Sequence, residues 1–269
     1  YFRGEEFILF FRGKKIKASD FLVEKVEPLP DQISFHLKLP LSNIVARLEF
    51  KLSDSGIAVE KKLILRTEND KKFLEKICLI HYRVGRTGTF TIFPGPGQPV
   101  YKDNFFFAIN YPLSEVNTSD TNLSICFCPG KSISQEFWES YPAVIGVSEG
   151  DKTPEYFLKY LDEKRHRKPE PYLLYNSWYD LPGIVNNDGI IKSVQGIKAN
   201  LTDHYGIKLD AVVLDDGWDN FSKLWQFDPQ KFPQGIAPVK TAAQEIGAQP
   251  GMWFSPAGAY SNRKYERIL

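Results

Sequence analysis

No apolar stretch of this sequence is long enough to span a membrane as a helix, which argues against a helical membrane protein. Charge of one sign is lacking as well. The 34 Lys and Arg residues nearly cancel the 33 Asp and Glu residues, and a net charge of +1 argues against a general electrostatic grip on nucleic acid. Cysteine is scarce: Cys78, Cys126 and Cys128 show no C-x-x-C spacing, and no nearby histidines complete a zinc set. Cys126 and Cys128, two apart on a predicted strand, are expected on one face as core or thiol residues. The four histidines, His36, His81, His166 and His204, are scattered without metal-ligand spacing. A phosphate-cradling glycine motif is missing too. Pro94-Gly95-Pro96-Gly97-Gln98-Pro99 reads as a stiff loop, its glycines do not form G-x-G-x-x-G, and no helix is predicted after it. No signal peptide is recognisable, but residue 1 is Tyr rather than Met, so the native N-terminus is expected to lie upstream. The compartment is therefore left unknown. N-x-S/T sequons at Asn117, Asn122, Asn200 and Asn220 matter only in a secreted product of a glycosylating cell.

What is present is ample apolar material: 42% of 269 residues, enough for one or two domains with real cores. Residues 1–150 read as β-rich. Phe7 to Phe11 is an apolar run, and Gln32 to Leu39 alternates with Ile33, Phe35, Leu37 and Leu39 on one face. Ala46 to Leu52 and Ile57 to Leu65 are further strands. In the latter, polar Lys61 interrupts a face shared with Val59, Leu63 and Leu65. Turn chemistry at Arg12-Gly13, Pro28-Leu29-Pro30, Asp54-Ser55-Gly56 and Asn69-Asp70 separates these runs. Closely spaced strands with such turns predict an antiparallel β-sandwich.

The rhythm changes near residue 150. Thr153 to Lys164 is predicted as an amphipathic helix with Tyr156, Phe157, Tyr160 and Leu161 on one side, capped by Asp151 or Thr153. The basic run Lys164 to Lys168, followed by Pro169 and Pro171, reads as a solvated helix end and linker over 151–171. From residue 172 to 269 strands and helices alternate. Tyr172 to Tyr175, Leu209 to Leu214 and Pro250 to Phe254 are the strands; Ile190 to Tyr205 and Ala237 to Ile246 are the helices, stopped by Gly206 and Gly247. Successive βα steps predict a parallel sheet or barrel.

Asp215-Asp216-Gly217-Trp218 leaves the C-terminal end of the second of these strands, where α/β barrels place substrate-binding groups. Paired acids and an aromatic platform suit a sugar, because carboxylates accept hydroxyl hydrogen bonds and an indole covers the apolar ring face. An exposed turn is the plain alternative. Trp178 and Asp180 follow the first strand and Trp253 lies in the third. Asp180 reads equally as a cap of the following helix, Trp218 as packing beneath its loop and Trp253 as barrel core. Asp219 reads as solvated, and Lys231, Phe232 and Pro233 as a structural turn.

Four motifs in order carry a family resemblance: Tyr175-Asn176-Ser177-Trp178-Tyr179-Asp180, Leu214-Asp215-Asp216-Gly217-Trp218, Phe227-Asp228-Pro229-Gln230-Lys231-Phe232-Pro233-Gln234-Gly235 and Gly251-Met252-Trp253-Phe254. Residues 172–258 resemble the start of the catalytic barrel of the α-galactosidase clan of glycoside hydrolases, nearest to family 36, which holds bacterial α-galactosidases and plant raffinose synthases. The segments 97–101 and 105–112 resemble the late strands of the β-sandwich that precedes that barrel. The resemblance implies a multidomain β then α/β chain: an antiparallel sandwich followed by the first three βα units of a (β/α)8 barrel. It implies a retaining glycosidase that needs no metal or cofactor and acts on an α-galactoside oligosaccharide or glycoconjugate, with no nucleic-acid or membrane partner. A homo-oligomer is left open. Asp215 and Asp216 match the family's sugar-binding aspartates, and Trp178 an aromatic of the same subsite.

The family's nucleophile and acid/base lie on strands four and six, so they are expected beyond Leu269, and this chain alone is expected to be inactive. About a hundred residues follow the linker, against the roughly 200–250 a closed barrel needs. Ser255-Pro256 stands where many bacterial members carry Glu-Pro, which leaves the exact sugar open. An α-N-acetylgalactosaminidase, a transglycosylase and a non-catalytic carbohydrate-binding protein or fragment are the alternatives.

Overall fold

The computed structural model describes residues 2–84 and 89–256, together with Gly258, Asn262 and Tyr265. The rest of the predicted 172–269 segment lies outside the described residues. The chain divides into two compact units, 1–168 and 169–269.

The first unit is built from two antiparallel sheets. In chain order its strands are β1 (Phe2–Gly4), β2 (Ile8–Phe11), β3 (Lys14–Lys17), β4 (Leu22–Pro28), β5 (Gln32–Lys38), β6 (Ile44–Leu52), β7 (Ala58–Thr67) and β8 (Lys72–Val84). Then come β9 (Thr91–Ile92), β10 (Val100–Lys102), β11 (Phe105–Ile109), β12 (Glu115–Thr118), β13 (Asn122–Phe127), β14 (Lys131–Ile133), β15 (Trp138–Glu139) and β16 (Ala143–Val147). One sheet runs β12-β13-β8-β2-β3, with β1 and β14 also on β8. The other runs β4-β5-β6-β7-β16-β11-β10-β9, with β15 on β7. Alternation decides which face is buried: Ile44, Ala46 and Leu48 of β6 point inward. They join Leu9, Ile77, Leu79 and Ile125 from the opposite sheet in one core. Helix α1 (Thr153–Lys164) covers the outer face of the second sheet, where Phe157 and Tyr160 pack on Phe106 and Val144. Gly146 lies under the Phe106 ring so closely that an added Cβ would stand 1.8 Å from it. The predicted helix cap is not formed. Thr153 turns its hydroxyl to Ser148 and to the Asp103 carbonyl instead, and the capping position, Lys152, makes no side-chain cap bond.

Lys61, which interrupts an apolar face in the sequence, is the most unusual buried group of this unit. Its side chain is 1% exposed. Its ammonium donates to the Glu6 carbonyl at 2.6 Å, to Glu6 Oε2 at 2.9 Å and to Tyr82 Oη at 2.6 Å. Tyr82 in turn donates to Glu6 Oε2 at 2.6 Å. Burial drags the Lys61 ammonium down to about 8 while Glu6 pulls it back up. Burial raises Glu6, but Lys61 and the Tyr82 hydroxyl outweigh it, and the carboxyl sits below its usual range.

The cysteine expectation needs correction. Cys126 does not share an exposure with Cys128: it is 2% exposed and forms a disulfide with Cys78, while Cys128 is free and exposed. The physical reason is the end of β13 at Phe127, which leaves Cys128 beyond the sheet, together with a register shift in which Leu79 of β8 is skipped between the pairs Ile125–Ile80 and Cys126–Cys78. The shift sets Cys126 opposite Cys78 on β8, and the Cα atoms are 3.9 Å apart.

The second unit holds a three-stranded parallel sheet, β17 (Leu174–Asn176), β18 (Ala211–Leu214) and β19 (Gln249–Met252), in that spatial order. The first strand starts later than predicted, because Tyr172 and Leu173 stay exposed and the Leu173 N–H is taken by the Asp210 carboxylate at 2.7 Å. Helices α2 (Asn187–Ile197), α3 (Asp203–Tyr205) and α4 (Ala237–Glu245) follow the strands. The predicted helix 190–205 is one helical run opened by a π-turn at Lys198–Thr202, and Gly206 ends it in the left-handed region. Tyr175, Val212, Leu214 and Met252 face Ile190, Val194, Val239 and Ala243 in a second core. The other face of the sheet carries Asn176, Val213 and Gly251 in register. The fold thus combines a β-sandwich with parallel βα units. Among the described residues no helix is long and apolar enough to cross a membrane.

Candidate functional site

Parallel register sets the ends of β17 and β18 side by side, so the residues that leave them converge. Asn176 is the last residue of β17 and Asp215 follows β18 directly. The Asn176 amide donates to Asp215 Oδ2 at 2.8 Å, while its carbonyl oxygen accepts from the Trp178 backbone N–H at 2.8 Å. One side chain therefore pins the carboxylate and shapes the turn that presents the indole. The other Asp215 oxygen accepts from the Asp216 N–H at 2.7 Å, and the Asp215 N–H donates to Ser177 Oγ at 2.9 Å. Asp216 is 3% exposed. The turn beyond it needs glycine. Gly217 has φ +107°, and a Cβ there would meet the backbone of Gly183 at 3.1 Å.

Asn176, Trp178, Tyr179, Asp215, Asp216 and Trp253 line one depression of about 310 Å³. Four of the six residues expected from sequence, Trp178, Asp215, Asp216 and Trp253, therefore meet. Trp178 and Tyr179 are exposed there, Tyr179 at 92%. Trp253 reaches the rim from the end of β19, its N–H donating to the Leu214 carbonyl at 2.8 Å.

Two expected residues lie elsewhere. Asp180 does not line the depression. It accepts from Tyr175 Oη at 2.7 Å and from Ser193 Oγ, which ties the first turn to α2. These two hydroxyls hold the Asp180 carboxyl below its usual range. Burial first, and then the bond to Asp180, push the Tyr175 phenol up to about 12. Trp218 is 1% exposed beneath the site, stacked on Trp225 with centroids 6.0 Å apart, and its indole N–H donates to the Trp253 carbonyl at 3.0 Å. Asp219, read as solvated, is 1% exposed, because the loop folds back through a bridge from Asp219 to Phe227. Phe232 is 2% exposed, and the Lys231 ammonium donates to the Gly217 carbonyl at 2.9 Å, so this stretch fastens the turn. Asn176, Ser177 and Tyr179 stood in the first sequence motif without a site role of their own. The signal was the polar Asn-Ser pair placed directly after an apolar strand. Among the described residues no group of three or more His, Cys, Asp and Glu is arranged to hold a metal ion.

A β-sandwich followed by parallel βα units is a fold shared with solved α-galactosidases. The GH36 α-galactosidase AgaA from Geobacillus stearothermophilus superposes with a TM-score of 0.62 at 13% identity, over 95% of this chain and 46% of that one. The α-galactosidase from Lactobacillus brevis gives 0.60 at 14% identity, over 95% and 44%. The galactosidase domain of the α-galactosidase-sucrose kinase AgaSK gives 0.64 at 12% identity, over 95% and 46%. This chain thus spans less than half the length of each of these structures. Variants of the Geobacillus enzyme have been solved in complex with raffinose and with stachyose. No family model and no curated protein matches the sequence.

Proposed function

We propose that this chain forms the sandwich and the early barrel strands of a retaining glycoside hydrolase of the α-galactosidase type. The observation that carries the proposal is the fixed Asp215 carboxylate beside buried Asp216, at the C-terminal ends of parallel strands and flanked by Trp178 and Trp253. In this reading both carboxylates accept hydrogen bonds from sugar hydroxyls, and an indole covers the apolar face of the ring. Selection of galactose over its epimer follows in this reading because the wrong hydroxyl orientation forfeits a charge-assisted hydrogen bond to a carboxylate. The carboxylates that attack the anomeric carbon and protonate the leaving oxygen are assigned to other barrel strands. Asp215 and Asp216 are adjacent, and a retaining pair stands about 5 Å apart across the scissile bond.

The test is turnover of p-nitrophenyl α-galactoside and of raffinose by the protein that carries this chain, with Asp215→Asn and Asp216→Ala beside the parent. Each lost charge-assisted bond is worth roughly 1.5–3 kcal/mol, so turnover is expected to fall at least about tenfold with circular dichroism unchanged. A chelator is expected to leave activity intact. Kinetics that do not respond to either substitution refute the assignment. Galactose binding that depends on both aspartates, without any turnover, replaces hydrolysis by sugar binding.

A further inference from the structure

A second cleft lies in the sandwich unit, far in sequence from the aspartates. It is lined by the β2–β3 hairpin, the start of β8, β14 and the start of β6 with the loop before it. The opening has a volume of about 460 Å³. Its floor is apolar, made by Phe11 at 7% and Ile44 at 2% exposure. Four cations ring it, Arg12, Lys14, Lys71 and Lys72, and no carboxylate is among its lining residues. None of the four takes part in an ion pair among the described residues, unlike Lys17, Lys62 and Lys76 elsewhere in the unit. The groove beside it shares Lys14 and Lys72 and adds Lys15 with Asp20, Glu68 and Asp70, so the carboxylates lie on that side and the first cleft is lined by cations alone.

Arg12 lies over the ring of Phe73, 5.6 Å from guanidinium carbon to centroid. That contact orients the guanidinium while leaving its N–H edge free for a planar anion. Phe73 is 37% exposed, and Ser42 and Ser132 offer hydroxyls at the rim. Four cations outside any ion pair, in a chain of net charge +1, mark a local demand for negative charge. One aromatic face beside an arginine and two hydroxyls, in a cleft this small, suits one or two rings bearing acidic groups. An extended single-stranded nucleic acid instead calls for a long groove with successive stacking platforms.

We infer that this cleft binds an anionic oligosaccharide, sulfated or carboxylated, as an anchoring site separate from the aspartate depression. The choice of a sugar over another small polyanion rests on the glycosidase reading; the charge and geometry do not.

The experiment is titration calorimetry of the full chain at low salt with four probes. These are a heparin-derived tetrasaccharide, an oligogalacturonate tetrasaccharide, neutral stachyose and an eight-residue oligothymidylate. Binding of at least one acidic sugar is expected, weakened by added salt. Whichever of the two binds more tightly identifies sulfate or carboxylate as the source of charge. The variant Lys14→Gln/Lys72→Gln is expected to bind roughly tenfold or more weakly. Arg12→Gln and Phe73→Leu are each expected to weaken the acidic sugars, the first by removing the guanidinium and the second by removing the ring that orients it. All four positions are at least partly exposed, so the fold is retained. Failure of both acidic sugars to bind overturns the inference. So does binding that survives the double variant, or oligothymidylate binding as tight as that of the sugars. Asp215→Asn is expected to leave this binding unchanged. A negative result here therefore leaves the galactosidase reading standing, and acidic-sugar binding without galactoside turnover does the reverse.

Discussion

Removing a single oxygen from Tyr82 is expected to destabilise the sandwich more than removing the whole charge of Lys61. The Lys61 ammonium has three protons and three acceptors, the Glu6 carbonyl, Glu6 Oε2 and Tyr82 Oη, all within 2.6–2.9 Å. Tyr82→Phe leaves a fully buried cation one acceptor short and also deprives Glu6 of a donor. A hydrogen bond to a charged group is worth about 1.5–3 kcal/mol. The Glu6 side chain is 43% exposed and recovers water, so its share is small and the cost falls on Lys61. The expected loss is about 2–3 kcal/mol. Lys61→Met removes the ion together with its desolvation cost, keeps most of the volume and leaves the Tyr82–Glu6 bond in place. Such replacements are often close to neutral, so a change within about 1 kcal/mol is expected. Amide hydrogen exchange of peptides covering 58–67 and 72–84, measured across a urea series, reads this unit without interference from the other. A larger loss for Lys61→Met than for Tyr82→Phe would refute the reasoning. The pH dependence provides an independent sign. Lys61 titrates near 8 folded and near 10.5 unfolded, so the unfolded chain binds more protons between those values. Stability is therefore expected to rise from pH 8 toward 10 in the parent and not in Lys61→Met. Above 10 the raised Tyr82 phenol opposes the trend.

Three further outcomes follow from the same contacts. Cys78→Ser/Cys126→Ser, or reduction, opens a loop closed across 48 residues, and the chain-entropy model puts the loss near 4 kcal/mol for the sandwich unit; differential scanning fluorimetry with and without reductant checks it, and an unchanged midpoint rules the bridge out. Asn176→Ala frees the Asp215 carboxylate and is expected to weaken galactose binding by roughly fivefold or more with little loss of stability; unaltered affinity would mean that Asp215 needs no anchor. Tyr175 keeps its proton up to about pH 12 in the folded state and loses it near 10 when unfolded, so the second unit is expected to lose stability between those values; a Tyr175→Phe variant with the same alkaline profile counts against the Tyr175–Asp180 pairing.

Period-two alternation made β6 legible, because Ile44, Ala46 and Leu48 bury one face against the opposite sheet; in β7 it was blurred, because Leu63, Ile64 and Leu65 are buried in succession while Val59 is exposed. The helix ends at Gly206 and Gly247 were legible for a different reason, the left-handed conformation that glycine accepts there at φ +69° and +74°. Lys61 was visible as an anomaly, but not its resolution, since Glu6, in the bend between β1 and β2, and Tyr82, on β8, lie 55 and 21 residues away. The disulfide was hidden by a register shift that no local pattern announces. At the site, the carboxylates could be placed from the strand that precedes them. Which aromatics line the depression depended on how the loop from Trp218 to Phe227 folds back, and that bridge is a tertiary event. Asp180 illustrates the same limit, because a carboxylate after a strand serves equally well as a tie to the next helix.

The placement of the tryptophans gives this chain a built-in optical division. Four of the five, Trp178, Trp218, Trp225 and Trp253, belong to the second unit, and the sandwich holds only Trp138. Indole emission is therefore dominated by the unit that carries the aspartates. Within it, buried Trp218 is expected to emit toward the blue and to be quenched by the half-buried Trp225 stacked on it. Trp178, exposed at the rim of the depression, is the red-shifted emitter that a bound sugar would touch. Selective excitation of the red edge of the tryptophan band thus turns occupancy of the depression into a spectroscopic signal, with no label added to the protein.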